Sequence, residues 1–493
     1  MVLHHPLPTP AADVTRSPLL PATSDHGERQ AERAAAVHTD VVAIKVASAV
    51  AIVITALSAC GPAAATAHRA AHDRVARHAN WPTYHANARR SGSVAGLPAA
   101  GRLAIGWSRR LNGAVYGQPL VIGDTVIAAT EGDTVYGLSL ASGRVRWARH
   151  VAGALPLRSQ PCGNIDPLGI TSTPVFYRGL VYALAQDGRY KHVLVGLDPA
   201  SGRVRYRRSV ASPDHRPFYD QQRAALAAGK GLIYVAFGGH FGDCGPYVGS
   251  VVGVPAAGGG SRPVVSYKVP ASQLAGIWAA GGPAIDASGT VYVGVGNGAT
   301  SRPYDGSDSV TALSPRLHRT GLFAPASWIA DNAGDLDLGS MTPALTGAGQ
   351  ILAVGKRGIG YLLRAHRLGG IGGQIARLSI CPAGAFGGAA VRGHTVIVPC
   401  ASGGPAAVAT RGNRLRVAWR GPPSADGSPV IGGGAVWVTD TANGVLYELS
   451  PGTGRVRHQI RLGSQLPHFA SPSLSGRLVL IGTMHGVIAV TGA

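Results

Sequence analysis

The sequence predicts an all-β fold, a β-propeller with eight blades of four strands each, and three observations support that prediction. The segments LSLASGRVRW (138–147), LDPASGRVRY (197–206) and LSPGTGRVRH (449–458) are nearly the same. A proline-led run of alternating apolar residues precedes each copy, so a whole multi-strand unit recurs. The 70 Gly and 34 Pro among 493 residues supply many turns. Such a unit cannot bury its apolar face alone, and four strands per repeat is typical of a propeller blade.

The blade count follows from the starts of these runs. Their spacing is about 40 to 60 residues, in the range of propeller blades. The last repeat ends with the chain and lacks a fourth strand, whereas an isolated strand around Trp107 precedes the first repeat. We therefore expect the N-terminal strand to complete the last blade, with seven blades as the main alternative. The eight starts are Pro119, Pro174, Pro283, Pro343, Pro429 and Pro472, with weaker ones near Ala224 and Ala389.

The region before the repeats divides into three parts. Residues 1–40 are rich in Ala, Pro and His without a period, which predicts disorder. Residues 41–60 contain an apolar run of about 14 residues that ends at Cys60, a length typical of a signal peptide core. Leu57-Ser58-Ala59-Cys60 resembles a lipobox, which predicts lipidation of Cys60; an uncleaved membrane anchor is the alternative. We therefore expect residues 61–80 to form a tether, and residues 81–493 to form a propeller outside the cytoplasm, anchored to the cell membrane.

Four cysteines follow Cys60, an even number that permits three pairings. Cys162 and Cys381 fall in connections between blades, while Cys244 and Cys400 come just after second strands. In a four-stranded blade these two kinds of loop emerge on the same face. The preferred bridge is Cys381 with Cys400, which leaves Cys162 with Cys244. No C-x-x-C sequence occurs, which argues against a zinc or redox motif.

The charge balance is strongly basic, with a net charge of +21. After position 60 the chain has 41 basic and 19 acidic residues, a net charge of +22. Such a field favours anionic neighbours such as acidic lipid headgroups, a cell-wall polymer or an acidic protein. A solvated surface rich in arginine is the simpler interpretation. Nothing resembles a nucleic-acid module with interleaved aromatic residues, so no nucleic-acid partner is expected.

The repeat unit and the segment WPTYHANARRSG (81–92) resemble the pyrroloquinoline quinone (PQQ) repeat propellers. That superfamily includes calcium- and PQQ-dependent alcohol dehydrogenases and non-catalytic lipoproteins of outer-membrane assembly. The resemblance covers roughly residues 81–490. It implies the propeller fold more specifically than it implies an activity.

The resemblance also implies site residues. The stretch 276–299 is similar to the one that places a tryptophan beneath the quinone and an asparagine on calcium, which implies those roles for Trp278 and Asn297. The segment 238–254 is similar to a loop with a glutamate calcium ligand, and Asp243 is its nearest match. Carboxylate and amide oxygens are the ligands that calcium prefers.

Two further segments complete the implied site. AGDLDLGSMTPAL (333–345) is similar to the segment whose carboxylate takes the substrate proton, and either Asp335 or Asp337 matches it. AVGKRGIGYLL (353–363) resembles the segment whose basic residue bonds the quinone oxygens, which implies that role for Lys356. A quinone site needs a flat aromatic support and a cation beside the carbonyls.

Several features depart from the dehydrogenases. The enzymes have two adjacent cysteines over the quinone, and here no two cysteines are adjacent. No haem-attachment sequence is present. The sequence therefore predicts a binding or scaffold protein of the cell envelope, whose partner is an envelope protein or a cell-wall polymer and whose quinone site is vestigial. The alternative is an oxidoreductase of an alcohol or polyol that depends on calcium and PQQ.

Overall fold

The computed structural model of the protein describes residues 80–259, 263–300 and 302–492. The predictions for residues 1–40, 41–60 and 61–79, including lipidation of Cys60, lie outside the described residues. Within the described ranges, no helix is long and apolar enough to cross a membrane.

The first four blades are antiparallel sheets with strands in chain order, except that the first two short strands of blade 3 both pair with its third strand. Blade 1 comprises β2 (Leu120–Ile122), β3 (Thr125–Ala129), β4 (Thr134–Ser139) and β5 (Val145–His150). Blade 2 comprises β6 (Val175–Tyr177), β7 (Leu180–Gln186), β8 (His192–Leu197) and β9 (Val204–Val210). Blade 3 comprises β10 (Asp220–Gln221), β11 (Ala227–Gly229), β12 (Leu232–Gly239), β13 (Ser250–Pro255) and β14 (Val265–Lys268). Blade 4 comprises β15 (Ala284–Ile285), β16 (Val291–Val295), β17 (Ser309–Leu313) and β18 (Arg319–Ala324).

The other four blades repeat this plan. The six-residue helix α1 (Trp328–Ala333) precedes blade 5. Blade 5 comprises β19 (Ala344–Leu345), β20 (Gln350–Val354), β21 (Ile359–Arg364) and β23 (Ala376–Ser379). Between β21 and β23 in the chain, β22 (Gly370–Ile371) pairs with β18 of blade 4. Blade 6 comprises β24 (Ala390–Arg392), β25 (Thr395–Val398), β26 (Ala406–Arg411) and β27 (Arg414–Arg420). Blade 7 comprises β28 (Val430–Gly432), β29 (Ala435–Asp440), β30 (Val445–Leu449) and β31 (Val456–Arg461). Blade 8 comprises β32 (Ser473–Ser475), β33 (Leu478–Thr483), β34 (Gly486–Gly492) and the N-terminal β1 (Leu103–Arg110).

Blade 8 closes the ring with strands from both ends of the propeller. β1 pairs antiparallel with β34 from Leu103 opposite Gly492 to Arg110 opposite Gly486. The prediction of eight blades closed by the N-terminal strand is therefore confirmed, and seven blades is wrong. The ring is closed because backbone hydrogen bonds within blade 8 join a strand from the start of the propeller to a strand from its end.

The repeated Ser-Gly or Thr-Gly turn and the repeated tryptophan form one contact between neighbouring blades. The indole of Trp107 in blade 8 donates to the carbonyl of Leu140 in blade 1 at 2.9 Å, and it packs on Gly143. Gly143 has a φ of 65°, and a Cβ there would overlap the indole ring. Only glycine suits such a position. Trp147 and Trp419 make the same contact with Pro199 and Pro451 of the next blade.

The core lies between adjacent blades. Inner strands such as β3 are buried at every residue, since both faces of the sheet are covered. Outer strands such as β27 alternate exposed and half-buried residues, because only one face packs on a neighbour.

The segment 81–94 contacts every blade at one end of the ring. Its backbone reaches the first strand of several blades; for example, Val121 and Trp81 exchange hydrogen bonds at 2.8 and 3.1 Å. Arg89 and Arg90 extend to the carbonyls of Thr346 and Leu226, each at 2.8 Å. His85 bonds Ser471 at 3.0 Å. The further backbone contacts join Pro82 to Phe176, Ala88 to Ile285, Ser91 to Val391, and Gly92 to Ile431.

Two disulfides hold the opposite face, and both predicted pairings are present. Cys162 in the blade 1 to blade 2 connection bonds Cys244 after β12, with the Cα atoms 6.1 Å apart. Cys381 in the blade 5 to blade 6 connection bonds Cys400 after β25, with the Cα atoms 5.2 Å apart.

Candidate functional site at the propeller axis

Three aromatic rings from well-separated blades meet at the axis. Trp278, Phe386 and Phe469 lie in the connections that precede blades 4, 6 and 8. The ring centroids of Phe386 and Phe469 are 5.7 Å apart and stacked, and Trp278 lies 6.3 and 6.5 Å from them. Connections from alternate blades can meet only near the ring centre. The two phenylalanines were missed by sequence analysis, because isolated aromatic residues in loops give no signal of their own.

Lys356, two residues after the end of β20, lies beside this aromatic cluster. Its Nζ is 5.4 Å from the centroid of Trp278 and 2.9 Å from Asp337 Oδ2, and it also forms an ion pair with Asp335. A cation at such a distance from an indole face is attracted by the ring. The fold thus brings together Trp278, Lys356, Asp335 and Asp337, four of the six residues that the resemblance implies.

The two aspartates differ in their surroundings. The side chain of Asp335 is 60% exposed, whereas that of Asp337 is fully buried. Burial raises the pKa of Asp337 to about 6 against the opposing charge of Lys356. Burial alone would lower the pKa of Lys356, but the charges of Asp337 and Asp335 outweigh it, and the pKa is raised. Asp337 therefore titrates just below neutral pH beside a lysine that stays charged.

Tyr247 links Asp243 to this pair. The buried Tyr247 hydroxyl donates to Asp243 Oδ1 at 2.6 Å. Burial, then the charges of Asp243, Asp337 and Asp335, raises the pKa of Tyr247. The Tyr247 phenol therefore stays protonated, in contact with Asp243 and under the charges of Asp337 and Asp335. Tyr247 was not predicted, because its role depends on contacts between blades 3 and 5.

Asn297 lies in the loop after β16 that supports Trp278. Its backbone carbonyl accepts from Ala275 N at 2.7 Å, and Gly296 N donates to Gly276 O at 2.8 Å. A Cβ on Gly296 would meet the Trp278 indole nitrogen at 3.3 Å, so the two segments pack closely. The Asn297 amide has no hydrogen-bond partner among the described residues and is partly exposed.

A second charged group fixes the loop that carries Asp337. Asp308 Oδ1 accepts from Leu338 N at 2.8 Å, directly after Asp337 in the chain. Arg357 forms an ion pair with the buried Asp331. Burial, followed by the charge of Asp331, raises the pKa of Asp308 well above its ordinary value. These residues were missed by sequence analysis, although Asp308 follows the Gly-Asn segment closely.

Across the axis, two buried carboxyl groups form no ion pair among the described residues, although the charge of Arg223 partly offsets the effect of burial on the pKa of Glu131. Glu131 Oε2 accepts from Gly169 N at 2.7 Å, while Glu131 Oε1 and both oxygens of Asp133 have no partner within the described chain. Burial raises the pKa of Glu131 to about 7 and that of Asp133 to about 8, the latter assisted by the charge of Glu131. The Arg223 guanidinium instead lies 4.7 Å from the Phe469 ring centroid.

A small cavity lies between Arg223 and the aromatic cluster. Its volume is about 10 Å³, the space of about one water molecule. Its polar lining includes Thr171, whose hydroxyl has no partner among the described residues. The lining residues are Tyr84, Tyr116, Gln118, Thr171, Thr173, Arg223, Ala280, His468, Phe469 and Ser471.

The residues of this site fit a planar aromatic anion in their chemistry, but in this arrangement they do not fit a calcium ion. Trp278 offers a flat face, and Lys356 and Arg223 offer two cations. By contrast, Asp337 Oδ1 accepts from Gly339 N at 2.7 Å, and Lys356 lies against Asp337 Oδ2. Across the described ranges, no group of three or more His, Cys, Asp and Glu side chains is arranged to hold a metal ion. The calcium roles of Asp243 and Asn297 stay predictions.

Comparison with known proteins supports the resemblance seen in the sequence. The family of the outer membrane protein assembly factor BamB matches residues 86–292. Polyvinylalcohol dehydrogenase of Sphingopyxis sp. (strain 113P3) is 28% identical over 246 residues, 45% of this chain. That match spans about a third of the dehydrogenase, 34% of its length.

Solved structures share the fold at low identity. The quinohemoprotein alcohol dehydrogenase from Comamonas testosteroni has a TM-score of 0.63 at 15% identity, over 86% of this chain and 83% of that one. A europium-containing methanol dehydrogenase has a TM-score of 0.64 at 15% identity, over 84% of this chain and 98% of that one. BamB from Moraxella catarrhalis has a TM-score of 0.52 at 16% identity, over 79% of this chain and 100% of that one. At such identities the likeness concerns the fold alone.

Proposed function

We propose that this propeller, which is related both to the PQQ dehydrogenases and to BamB, binds a quinone of the PQQ class at its axis and oxidises an alcohol. One observation carries the proposal. Lys356 Nζ lies 5.4 Å from the Trp278 ring centroid and 2.9 Å from a fully buried aspartate, Asp337. An aromatic face, a cation and a carboxylate with a pKa near 6 are the parts that alcohol oxidation by a bound quinone needs.

Each residue has a role that its surroundings support. Trp278 would stack under the ring system, and Lys356 and Arg223 would pair with its anionic oxygens. The quinone, when bound, supplies the acceptor for the two electrons removed from the alcohol. Asp337 would accept the hydroxyl proton, since its pKa of about 6 leaves it mostly ionised at neutral pH. Lys356 would hold that carboxylate in place. Asp335, exposed on the other side of Lys356, would contribute little.

The test measures binding and turnover separately. The purified protein is incubated with PQQ, with and without calcium, and freed of unbound quinone; retained quinone and dye reduction with alcohols are then recorded. We expect retention and turnover in the wild type, and loss of retention in Trp278→Ala and Lys356→Ala. If the protein retains no quinone under any of these conditions, a quinone-dependent enzymatic function is excluded.

A binding platform at the cell envelope is the second candidate, and the packing of the aromatic cluster favours it. Phe386 and Phe469 stack on each other near Trp278, and the adjoining cavity holds only about one water. In this case the protein would be anchored through its N-terminal region outside the cytoplasm. It would bind an envelope protein or a cell-wall polymer through its surface loops. Retained fold and partner binding in Trp278→Ala would distinguish this function from the first.

A further inference from the structure

Blades 5 and 6 carry the most one-sided charge of the chain. Between Leu338 and Ala425 there are ten Lys and Arg residues and not one Asp or Glu. In blades 1 and 7, by contrast, outer arginines have acidic neighbours: Arg146 pairs with Asp124 at 2.7 Å, and Arg457 lies 3.9 Å from Glu448. Blade 6 has no acidic residue to neutralise its arginines, so its field stays positive.

Four of these arginines share one face of blade 6. The register places Arg392, Thr395, Ala409 and Arg416 in one row across the four strands. Arg411 and Arg414 are directly opposite each other in the next row on the same face. All four arginines are exposed and form no ion pair in the part of the chain that the structure describes. Like charges directly opposite each other destabilise a strand pair, so this arrangement opposes stability.

These side chains border an open groove of about 640 Å³. His394 adds a fifth basic group, and its ring nitrogen Nδ1 lies 3.2 Å from the Thr410 carbonyl. No aromatic residue lines the groove, which argues against stacking of bases or sugars. The lining residues are Arg392, His394, Thr395, Ala409, Arg411, Arg414, Leu415, Arg416 and Ala418.

We propose that this blade 6 groove binds a polymer of phosphate groups. The guanidinium fork matches phosphate oxygens in pairs and forms strong charge-assisted hydrogen bonds. Three strand spacings separate Arg392 from Arg416, about 14 Å in all. Successive phosphates along a chain match this span and the four separate guanidinium groups better than a single phosphate does. The groove lies at the hairpin ends of blade 6, away from the axial site, so its occupant is independent of the quinone.

The test compares two sets of arginines on the full chain. The quadruple variant R392Q/R411Q/R414Q/R416Q removes the groove charges, and R203Q/R205Q/R207Q/R208Q removes four exposed arginines from blade 2. Binding of inorganic polyphosphate is measured at fixed ionic strength by titration calorimetry. We expect the groove variant to bind roughly 100-fold more weakly and the blade 2 variant within about threefold of the wild type, because paired contacts outweigh the general field. Equal losses in both variants would overturn the proposal.

Binding measurements with other anionic ligands identify the chemistry that the groove recognises. Monophosphate should bind far more weakly than polyphosphate, and polyglutamate should bind weakly as well. Vesicles of phosphatidylglycerol should not compete with polyphosphate for the groove. Stronger binding of polyglutamate or of the vesicles than of polyphosphate would overturn the proposal.

A double variant separates a loss of polyphosphate binding from a loss of folding. Because Arg411 and Arg414 repel each other across the hairpin, R411Q/R414Q should unfold at a higher temperature than the wild type and still lose polyphosphate affinity. A rise in stability with unchanged affinity would contradict a binding role for this pair.

Discussion

Buried carboxyl groups on the two sides of the propeller axis differ in their cationic neighbours and in their pKa values. On the side of blades 4 and 5, Asp337 lies against Lys356 and Asp331 against Arg357. On the side of blades 1 and 2, Glu131 and Asp133 are buried and form no ion pair in the described chain, although the charge of Arg223 lowers the pKa of Glu131 against its burial. The first side keeps a carboxylate that ionises near pH 6, and the second holds carboxyl groups with pKa values of about 7 and 8. A nearby cation is what makes a buried carboxylate usable as a base at neutral pH.

Asp337→Asn should have the largest effect, because it removes the base while leaving the side-chain volume. We expect quinone-dependent alcohol oxidation to fall by at least about 100-fold, a size usual for the loss of a general base. Retained quinone should stay near the wild-type amount. Asp335→Asn is the control and should keep most of the activity. A similar loss in both variants would remove the distinction between the two aspartates.

Lys356→Gln should shift the pH profile of any activity that remains. The wild-type kcat/KM should rise as pH increases through about 6, since Asp337 must be ionised to accept a proton. Without the lysine charge the pKa of Asp337 rises further, so the rise of kcat/KM with pH should shift to a pH higher by roughly one unit or more. Quinone affinity should fall as well. An unchanged limb would show that Asp337 does not control the reaction.

Arg223→Gln tests the cation on the opposite side. We expect roughly tenfold weaker quinone binding, because one charge-assisted contact is lost. The pH limb near 6 should stay in place, since Arg223 is not among the groups that shift the pKa of Asp337. A pH shift as large as that in Lys356→Gln would mean that the two sides are coupled.

Asp133→Asn should have the smallest effect, and only on stability. The folded-state pKa of Asp133, about 8, lies above its ordinary value, so the native protein binds more protons than the unfolded chain. The contribution of Asp133 to stability is therefore fully present at low pH and is lost as pH rises towards 8. We expect the melting temperature of the wild type to fall by a few degrees between pH 6 and 9, and that of the variant to fall less. Parallel curves would contradict the raised pKa.

The fold could be predicted from the sequence because its signals are local and repeated. Alternating apolar runs, turn glycines and the unpaired strand at Trp107 were enough to predict eight blades and the closing strand. The loops of all four cysteines were placed on one face, which permitted three pairings, and the preferred one of these is present. The tryptophan contact was not foreseen, because Trp147 contacts the turn of the following blade and not its own.

The site could be predicted only in part. Trp278, Asp337 and Lys356 lie in segments that resemble a family motif, so each could be named. Tyr247, Arg223 and Phe469 could not, because their importance arises from contacts between blades far apart in the chain. The arrangement of Lys356 against Asp337 also depends on packing, and no local pattern indicates that an ammonium group lies against that carboxylate.

A crystal structure of the protein with PQQ tests the central claim most directly. The account predicts a quinone stacked on Trp278 with its oxygens against Lys356 and Arg223, and with Asp337 beside it. A quinone bound elsewhere, or an axis still filled by Phe386 and Phe469 at a saturating concentration of PQQ, would contradict it.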